Sequence, residues 1–265
     1  MSLEMIIHET KAYWTRRTQG YSRVNQSELS TSSRRVWQDQ LQRRIFAEFP
    51  GKTPEDLRVL EVGTGPGFFA IVLSESGFHV TAVDLTPSML DEARKNAGTL
   101  AGEILFLEMN AESLSFADNS FDIVVSRNLT WNLPHPEKAY REWERVLAPG
   151  GLLLNYDANW YRYLYDEAAL ARYEKDRHNS ALQGIRDENV GEGFDVMEDI
   201  ARRVPLSRIQ RPKWDRHVLA GLGLEVTSDE CVWEQVWTAE EKINFASTPM
   251  FLVKAVKKSS KKSPG

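Results

Sequence analysis

The stretch VLEVGTGPGFFA, Val59–Ala70, decides the fold. Val59, Leu60 and Val62 form an apolar run interrupted by one acid, Glu61, and read as a strand. Gly63, Gly65 and Gly67 follow as a turn, and Phe68 opens a helix. A strand feeding a glycine-rich turn and a helix is the layout that holds nucleotide-like cofactors, because bare glycines let the main chain approach a ligand. The dinucleotide fingerprint wants a third glycine where Phe68 stands. Pro66 also removes an N–H from the arc that would hold a pyrophosphate. The spacing here is G-x-G-x-G with Glu61 just upstream, and a cofactor without phosphates loses nothing by Pro66.

Outward from this stretch, strands and helices alternate. HVTAVDL, EILFLEMN, FDIVVSRN and LLLNYD read as strands. TPSMLDEARKNAG reads as a helix with Thr86 as N-cap and Pro87 at its first position. HPEKAYREWERVLAPGG is another, stopped by Pro-Gly-Gly, with His135 at its start. The rhythm predicts an α/β fold: a doubly wound, mostly parallel, seven-stranded Rossmann-like sheet with helices on both faces. Upstream, STSSRRVWQDQLQRRIFAEFPG reads as a helix with Val36, Leu41, Ile45 and Phe49 on its apolar side. The preceding HETKAYWTRRTQGYSRVNQSEL reads as short helix and loop.

After Asp157 the rhythm breaks. Residues 159–211 show no clear strand and leave the carboxyl end of the fifth strand, where ligands bind in such sheets, so they are placed to form a helical lid. KWDRHVLAGLG then reads as a helix, and LEVTSDECVWEQVW and PMFLVKAVK as strand regions. The expected organisation is an N-terminal helical cap (1–50), the cofactor-binding half of the domain (51–158), the lid and acceptor insertion (159–211), the C-terminal half of the same domain (212–257) and a flexible basic tail (258–265).

Composition sets the class. The chain has 265 residues, 42% hydrophobic and 27% charged, which is ordinary globular composition. A net charge of −5 gives no electrostatic push towards nucleic acid. The single cysteine, Cys231, reads as a small buried residue and fits a reducing compartment. The chain shows no apolar run of about 18 residues and no secretory signal, so a cytoplasmic protein without membrane insertion is expected. No histidine pair has metal spacing, and no metal site is expected. His178 is the one histidine to watch as a base.

LEVGTGPG, the acid at Asp84 about 20 residues on, the Asn110-Ala111-Glu112 segment, FDIVVSRN and RVLAPGG come in a fixed order. This set resembles the class I S-adenosylmethionine-dependent methyltransferases, in their small-molecule, methyltransferase domain 11-like branch. The resemblance covers Leu57 to Asp157 well and the rest by layout. It implies S-adenosyl-L-methionine as cofactor, S-adenosyl-L-homocysteine as product, and a small-molecule methyl acceptor for a monomer or homodimer. It also implies roles. Gly63, Thr64, Gly65 and Gly67 face the methionine half, with Glu61 receiving the α-ammonium directly or through water. Asp84 holds the ribose hydroxyls, Leu85 and Met89 flank the adenine, and Asn110, Ala111 and Glu112 hold its edge. Arg127 lies under the methionine part, and Tyr21 reaches it from the N-terminal segment. Tyr13, Trp14, Asn128, Asp157, Asn159 and Trp160 are the candidates for the acceptor. No catalytic acid or base stands out, and an in-line methyl displacement needs alignment more than it needs either. The competing readings are an NAD-linked oxidoreductase and a non-catalytic S-adenosylmethionine-binding protein.

Overall fold

The computed structural model describes residues 3–187 and 194–259. Helices α1 (Leu3–Ser30) and α2 (Ser32–Glu48) precede β1 (Arg58–Val62). Then come α3 (Phe68–Glu75), β2 (His79–Asp84), α4 (Pro87–Ala97), β3 (Leu105–Glu108), β4 (Phe121–Arg127), α5 (Pro136–Val146) and β5 (Leu147–Asp157). The excursion after β5 carries α6 (Glu167–Leu182) and α7 (Phe194–Ala201). The chain closes with α8 (Lys213–Gly221), β6 (Leu224–Asp229), α9 (Trp233–Val236), α10 (Ala239–Asn244) and β7 (Phe251–Lys257).

The strands form one seven-stranded sheet in the order β3-β2-β1-β4-β5-β7-β6. β7 runs antiparallel to β5 and β6, and the pairs among β1 to β5 are parallel. This is the expected doubly wound sheet. The chain runs out from β1 to β3, then returns to β4 on the other side of β1. That reversal opens a crevice at the carboxyl ends of β1 and β4, the usual ligand position.

Each central strand buries both faces. Val59, Ala82, Ile123 and Val125 pack with Trp37, Leu41 and Ile45 of α2, with α3, and with Leu90 and Ala93 of α4. Leu60, Val62, Val83 and Val124 pack on the other face with Tyr140, Trp143 and Val146 of α5 and Leu219 of α8. Parallel strands covered on both sides read as continuous apolar runs for this reason.

Four expectations change. Residues 3–30 form one helix rather than short helix and loop; the inward face of its second half is polar, with Thr18, Ser22 and Asn25 buried at helical spacing. In α2 the buried stripe is Trp37, Leu41 and Ile45, and Val36 is exposed. The LEVTSDECVWEQVW region is strand only to Asp229, then turns into the short α9. Cys231 is exposed, since it lies on that turn. Of the expected flexible tail, Lys258 and Ser259 follow β7 and residues 260–265 lie outside the described residues, as do residues 188–193 of the expected lid.

Candidate functional site

The glycine turn is pinned to β2 before any ligand is considered. The N–H groups of Gly63 and Thr64 both donate to the Val83 carbonyl, at 2.8 and 3.0 Å. Gly65 N–H donates to Asp84 Oδ2 at 2.9 Å, and Thr86 N–H donates to Asp84 Oδ1 at 2.8 Å. Asp84 therefore ties the turn to the start of α4. Gly63 has φ 73°, and a Cβ there would stand 2.7 Å from Leu129 Cδ2. Gly67 has φ 94°, and a Cβ there would meet Ala93 Cβ at 3.0 Å, so it sets how closely the start of α3 sits on α4.

A cavity of about 720 Å³, counted out to its open mouth, crosses these strand ends. Met109, Asn110 and Ala111 line it beyond β3, and Asp84, Leu85 and Met89 beyond β2. Gly63 and Gly65 line it beyond β1, and Arg127 and Asn128 at the end of β4. Trp14 and Tyr21 of α1 roof it. The structure thus brings eleven expected residues to one cavity, nine from the cofactor set with Trp14 and Asn128 from the acceptor set.

The other expected residues do not line it. Gly67 is taken up by packing on α4. Glu61 is buried behind the turn, where its carboxylate accepts from Thr64 Oγ1 at 2.6 Å. Glu112 is buried beside the cavity, where its carboxylate accepts from His135 N–H at 2.8 Å and meets His135 Nδ1 at 2.9 Å. Tyr13 is buried with Ile6, Trp131 and Met197. Trp160 packs edge-on against Phe245.

Asp157 is fully buried and its Oδ2 is shared by Thr130 Oγ1 (2.5 Å), Trp131 N–H (3.0 Å) and Arg211 Nη1 (2.7 Å). Arg211 reaches on to Asp215, at 2.6 Å, and Asp215 accepts from the Tyr140 hydroxyl at 2.5 Å. Asn159 exchanges two hydrogen bonds with the Arg211 main chain, both 3.1 Å. These two residues close the neck of the 159–211 excursion and hold the Thr130–Asn132 turn in place. His178 is exposed on α6.

Sequence reasoning missed Thr10, Lys11, Thr86, Met109, Leu129, Asn132 and Leu133, all of which line the cavity. Met109, Leu129 and Leu133 had a usable signal, since Met109 sits at the end of a predicted strand and the two leucines follow another by a few residues. Thr10 and Lys11 had none until α1 was known to be one helix lying over the strand ends.

Charge in the cavity is largely neutralised by the protein. Arg127 makes a two-pronged ion pair with Glu28, both contacts 2.8 Å, and lies over the rings of Phe68, Phe69 and Trp37 at 4.6, 5.2 and 5.3 Å. Burial works against its charge, and the Glu28 carboxylate more than restores it. Lys11 pairs with Glu108 at 2.5 Å. Burial lifts Asp84 above the ordinary carboxylate range while the Thr86 and Gly65 N–H groups hold it back. Burial pushes Glu61 up to about 8, against the opposing pull of the Thr64 hydroxyl, the Arg127 charge and the Ala70 N–H. Burial likewise raises the Tyr21 phenol. A cavity that presents apolar side chains at Leu85, Met89 and Met109, a carboxylate beyond β2 and a glycine turn beyond β1 is suited to an adenosine joined to an amino-acid tail.

The strand order with its reversed seventh strand, together with this cavity, defines a Rossmann-like protein of the methyltransferase type. A family model described as a methyltransferase domain matches residues 60–155. The ubiquinone/menaquinone biosynthesis C-methyltransferase UbiE of Methylobacterium nodulans is 32% identical over 176 residues, covering 60% of this chain and 68% of that protein. The corresponding protein of Brucella canis is 39% identical over 130 residues, 48% of this chain and 47% of that protein. The chain thus spans about half the length of that relative. The chain belongs to the class I S-adenosylmethionine-dependent methyltransferase family. Its fold also matches the methyltransferase partner of the Haloferax volcanii Trm112 activator complex, with a TM-score of 0.57 at 18% identity over 92% of this chain and 97% of that one. Among the described residues no helix is long and apolar enough to cross a membrane, and no acid, histidine and cysteine cluster could hold a metal.

Proposed function

We propose that this chain moves a methyl group from S-adenosyl-L-methionine to a small molecule held under α1. The observation that carries this is the order of the cavity lining. Along β3, β2 and β1 come Asn110–Ala111, Asp84, and Gly63–Gly65, which suit adenine, ribose and amino-acid tail in turn. When bound, the cofactor supplies an activated methyl on a sulfonium, and the protein's part is alignment and exclusion of water.

Each residue has a physical task. Asp84 offers its carboxylate to the ribose hydroxyls from a position fixed by two backbone N–H groups. Leu85, Met89 and Met109 give an apolar slot for the base. Gly63 and Gly65 leave room for the amino-acid tail, and Glu61 stands buried behind the turn, protonated below about pH 8. Arg127, already paired with Glu28, acts through its fixed position beside the rings of Phe68 and Phe69. Trp14 and Tyr21 close the site from above with aromatic side chains.

A small acceptor suits the enclosure. The net charge of −5 offers nothing to a nucleic acid. The names of the relatives point the same way, towards a small acceptor. Titration watched by tryptophan fluorescence tests the reading, since Trp14 lines the cavity. S-adenosylhomocysteine is expected to saturate the signal in the micromolar range, while NADH leaves it unchanged. Saturation by NADH alone would favour the oxidoreductase reading instead.

A further inference from the structure

The charges of the cavity wall constrain what the acceptor can be. Among the described residues that line the cavity, the charged side chains are Lys11, Asp84 and Arg127. Each cation is already matched by a carboxylate from outside the lining. Lys11 pairs with Glu108 at 2.5 Å, and Arg127 takes both oxygens of Glu28 at 2.8 Å. The second pair is nearly dry, with 11% and 15% of its side chains exposed, so pulling it apart would leave a buried charge alone. Asp84 differs. It is held by the N–H groups of Gly65 and Thr86 rather than by a cation. S-adenosylmethionine carries a sulfonium, an ammonium and a carboxylate, one positive charge in excess. That excess meets the one uncompensated charge of the wall, and the loaded cavity is electrically balanced.

Strand order says which wall is left. The reading above lays the cofactor beyond β3, β2 and β1. The next strand is β4, and past its end Leu129 and Leu133 line the cavity on either side of the Thr130–Asn132 turn. Leu129 stands against the glycine turn, since a Cβ on Gly63 would lie 2.7 Å from its Cδ2. An apolar side chain therefore borders the seat of the amino-acid tail. The turn between the leucines is fixed from behind: Asp157 Oδ2 accepts from Thr130 Oγ1 at 2.5 Å and from Trp131 N–H at 3.0 Å. Asn132 adds a polar but uncharged group. Resting on the cofactor reading, we propose that the methyl acceptor binds as an uncharged molecule whose apolar body packs on Leu129 and Leu133.

Charged acceptors fit this wall less well. A carboxylate or phosphate would lose its water without gaining a free cation, unless it displaced Glu28 from Arg127. A protonated or quaternary amine would meet the like charge of the sulfonium at close range. An uncharged acceptor meets neither obstacle and gains from burying apolar area against the two leucines.

Probes of one shape and three charges provide the test. The full chain is saturated with sinefungin, which keeps the cofactor's extra positive charge on an amine and has no methyl to transfer. Equilibrium dialysis then compares naphthol, naphthoate and naphthylmethylamine. Naphthol is expected to bind about tenfold tighter than either charged probe. Leu133→Asn, a change of similar size, should weaken naphthol about fivefold. Glu28→Gln releases Arg127 and should bring naphthoate to within roughly twofold of naphthol. Should that variant fail to fold, the wild-type ratios and Leu133→Asn still decide. A charged probe that binds the wild-type chain as tightly as naphthol, no binding of naphthol, or a naphthol affinity that Leu133→Asn leaves unmoved overturns the uncharged seat and leaves the cofactor reading standing. Failure of both sinefungin and S-adenosylhomocysteine to bind overturns the cofactor reading and this proposal with it.

Discussion

The floor and the roof of the cavity are held by different forces. The floor is the set of strand ends, anchored by residues such as Leu60, Val62, Ile123 and Val124 that are 0% exposed. The roof is α1, which lies on α4 through polar pairs. Thr18 meets Ser88 at 2.7 Å, Gln19 and Ser22 donate to Glu92 at 3.1 and 3.0 Å, and Gln26 donates to Asn96 at 2.9 Å. Full burial of a large apolar side chain contributes about 1.5–3 kcal/mol. A hydrogen bond that replaces one to water contributes only about 1 kcal/mol net. The floor is therefore fixed by the core, and the roof can part from it by exchanging bonds with water. A cavity covered by a helix needs such a separable side for ligands to enter.

The largest expected effect lies in the floor. Trp143 is fully buried between α5 and the sheet, and Trp143→Ala should lower the unfolding free energy by about 3–5 kcal/mol in urea. A loss below about 1 kcal/mol would remove the contrast with the roof. Next comes Asp84, the floor's polar anchor. Asp84→Ala should weaken S-adenosylhomocysteine binding on the order of a hundredfold by calorimetry, since it removes the ribose acceptor and frees the Gly65 and Thr86 N–H groups. A loss of less than about threefold would break the assignment of β2 to the ribose.

Glu61 sharpens the comparison through pH. Its pKa rises from 4.5 to about 8 in the folded chain because burial disfavours the charge. Between those values the folded state holds a proton that the unfolded state has lost. Stability should therefore fall as pH rises across that window, by up to about 1.4 kcal/mol per pH unit. Urea midpoints at pH 5 and pH 8 measure this, and Glu61→Gln should flatten the profile. An unchanged slope in the variant would show that Glu61 is not the group responsible. The smallest effect belongs to the roof. Ser22→Ala should cost about 1 kcal/mol and speed hydrogen exchange in α1 while leaving β1 and β4 as slow as before. Equal acceleration in the strands would mean that roof and floor open together.

The floor was largely legible in the sequence and the roof only at Trp14 and Tyr21, mainly for one physical reason. Val59, Leu60 and Val62 announce a strand by apolar content, and Gly63, Gly65 and Asp84 by a spacing tied to backbone geometry. α1 buries Thr18, Ser22 and Asn25, so a search for apolar periodicity sees no helix face. Thr10 and Lys11 were invisible as lining residues for the same reason. Asp157 was placed correctly at the end of β5 but its use was not readable, because Arg211 comes from the far end of the excursion. The Glu112–His135 contact was not readable either, since His135 is a helix-start residue whose proximity only the fold reveals.

A crystal structure of the chain with S-adenosylhomocysteine tests the central claim most directly. Adenine should lie beside Asn110 and Ala111, the ribose hydroxyls on Asp84, and the amino-acid tail over Gly63 and Gly65, with the sulfur turned towards Asn128. A ligand lying in the reverse direction, or bound away from the ends of β3, β2 and β1, would contradict it.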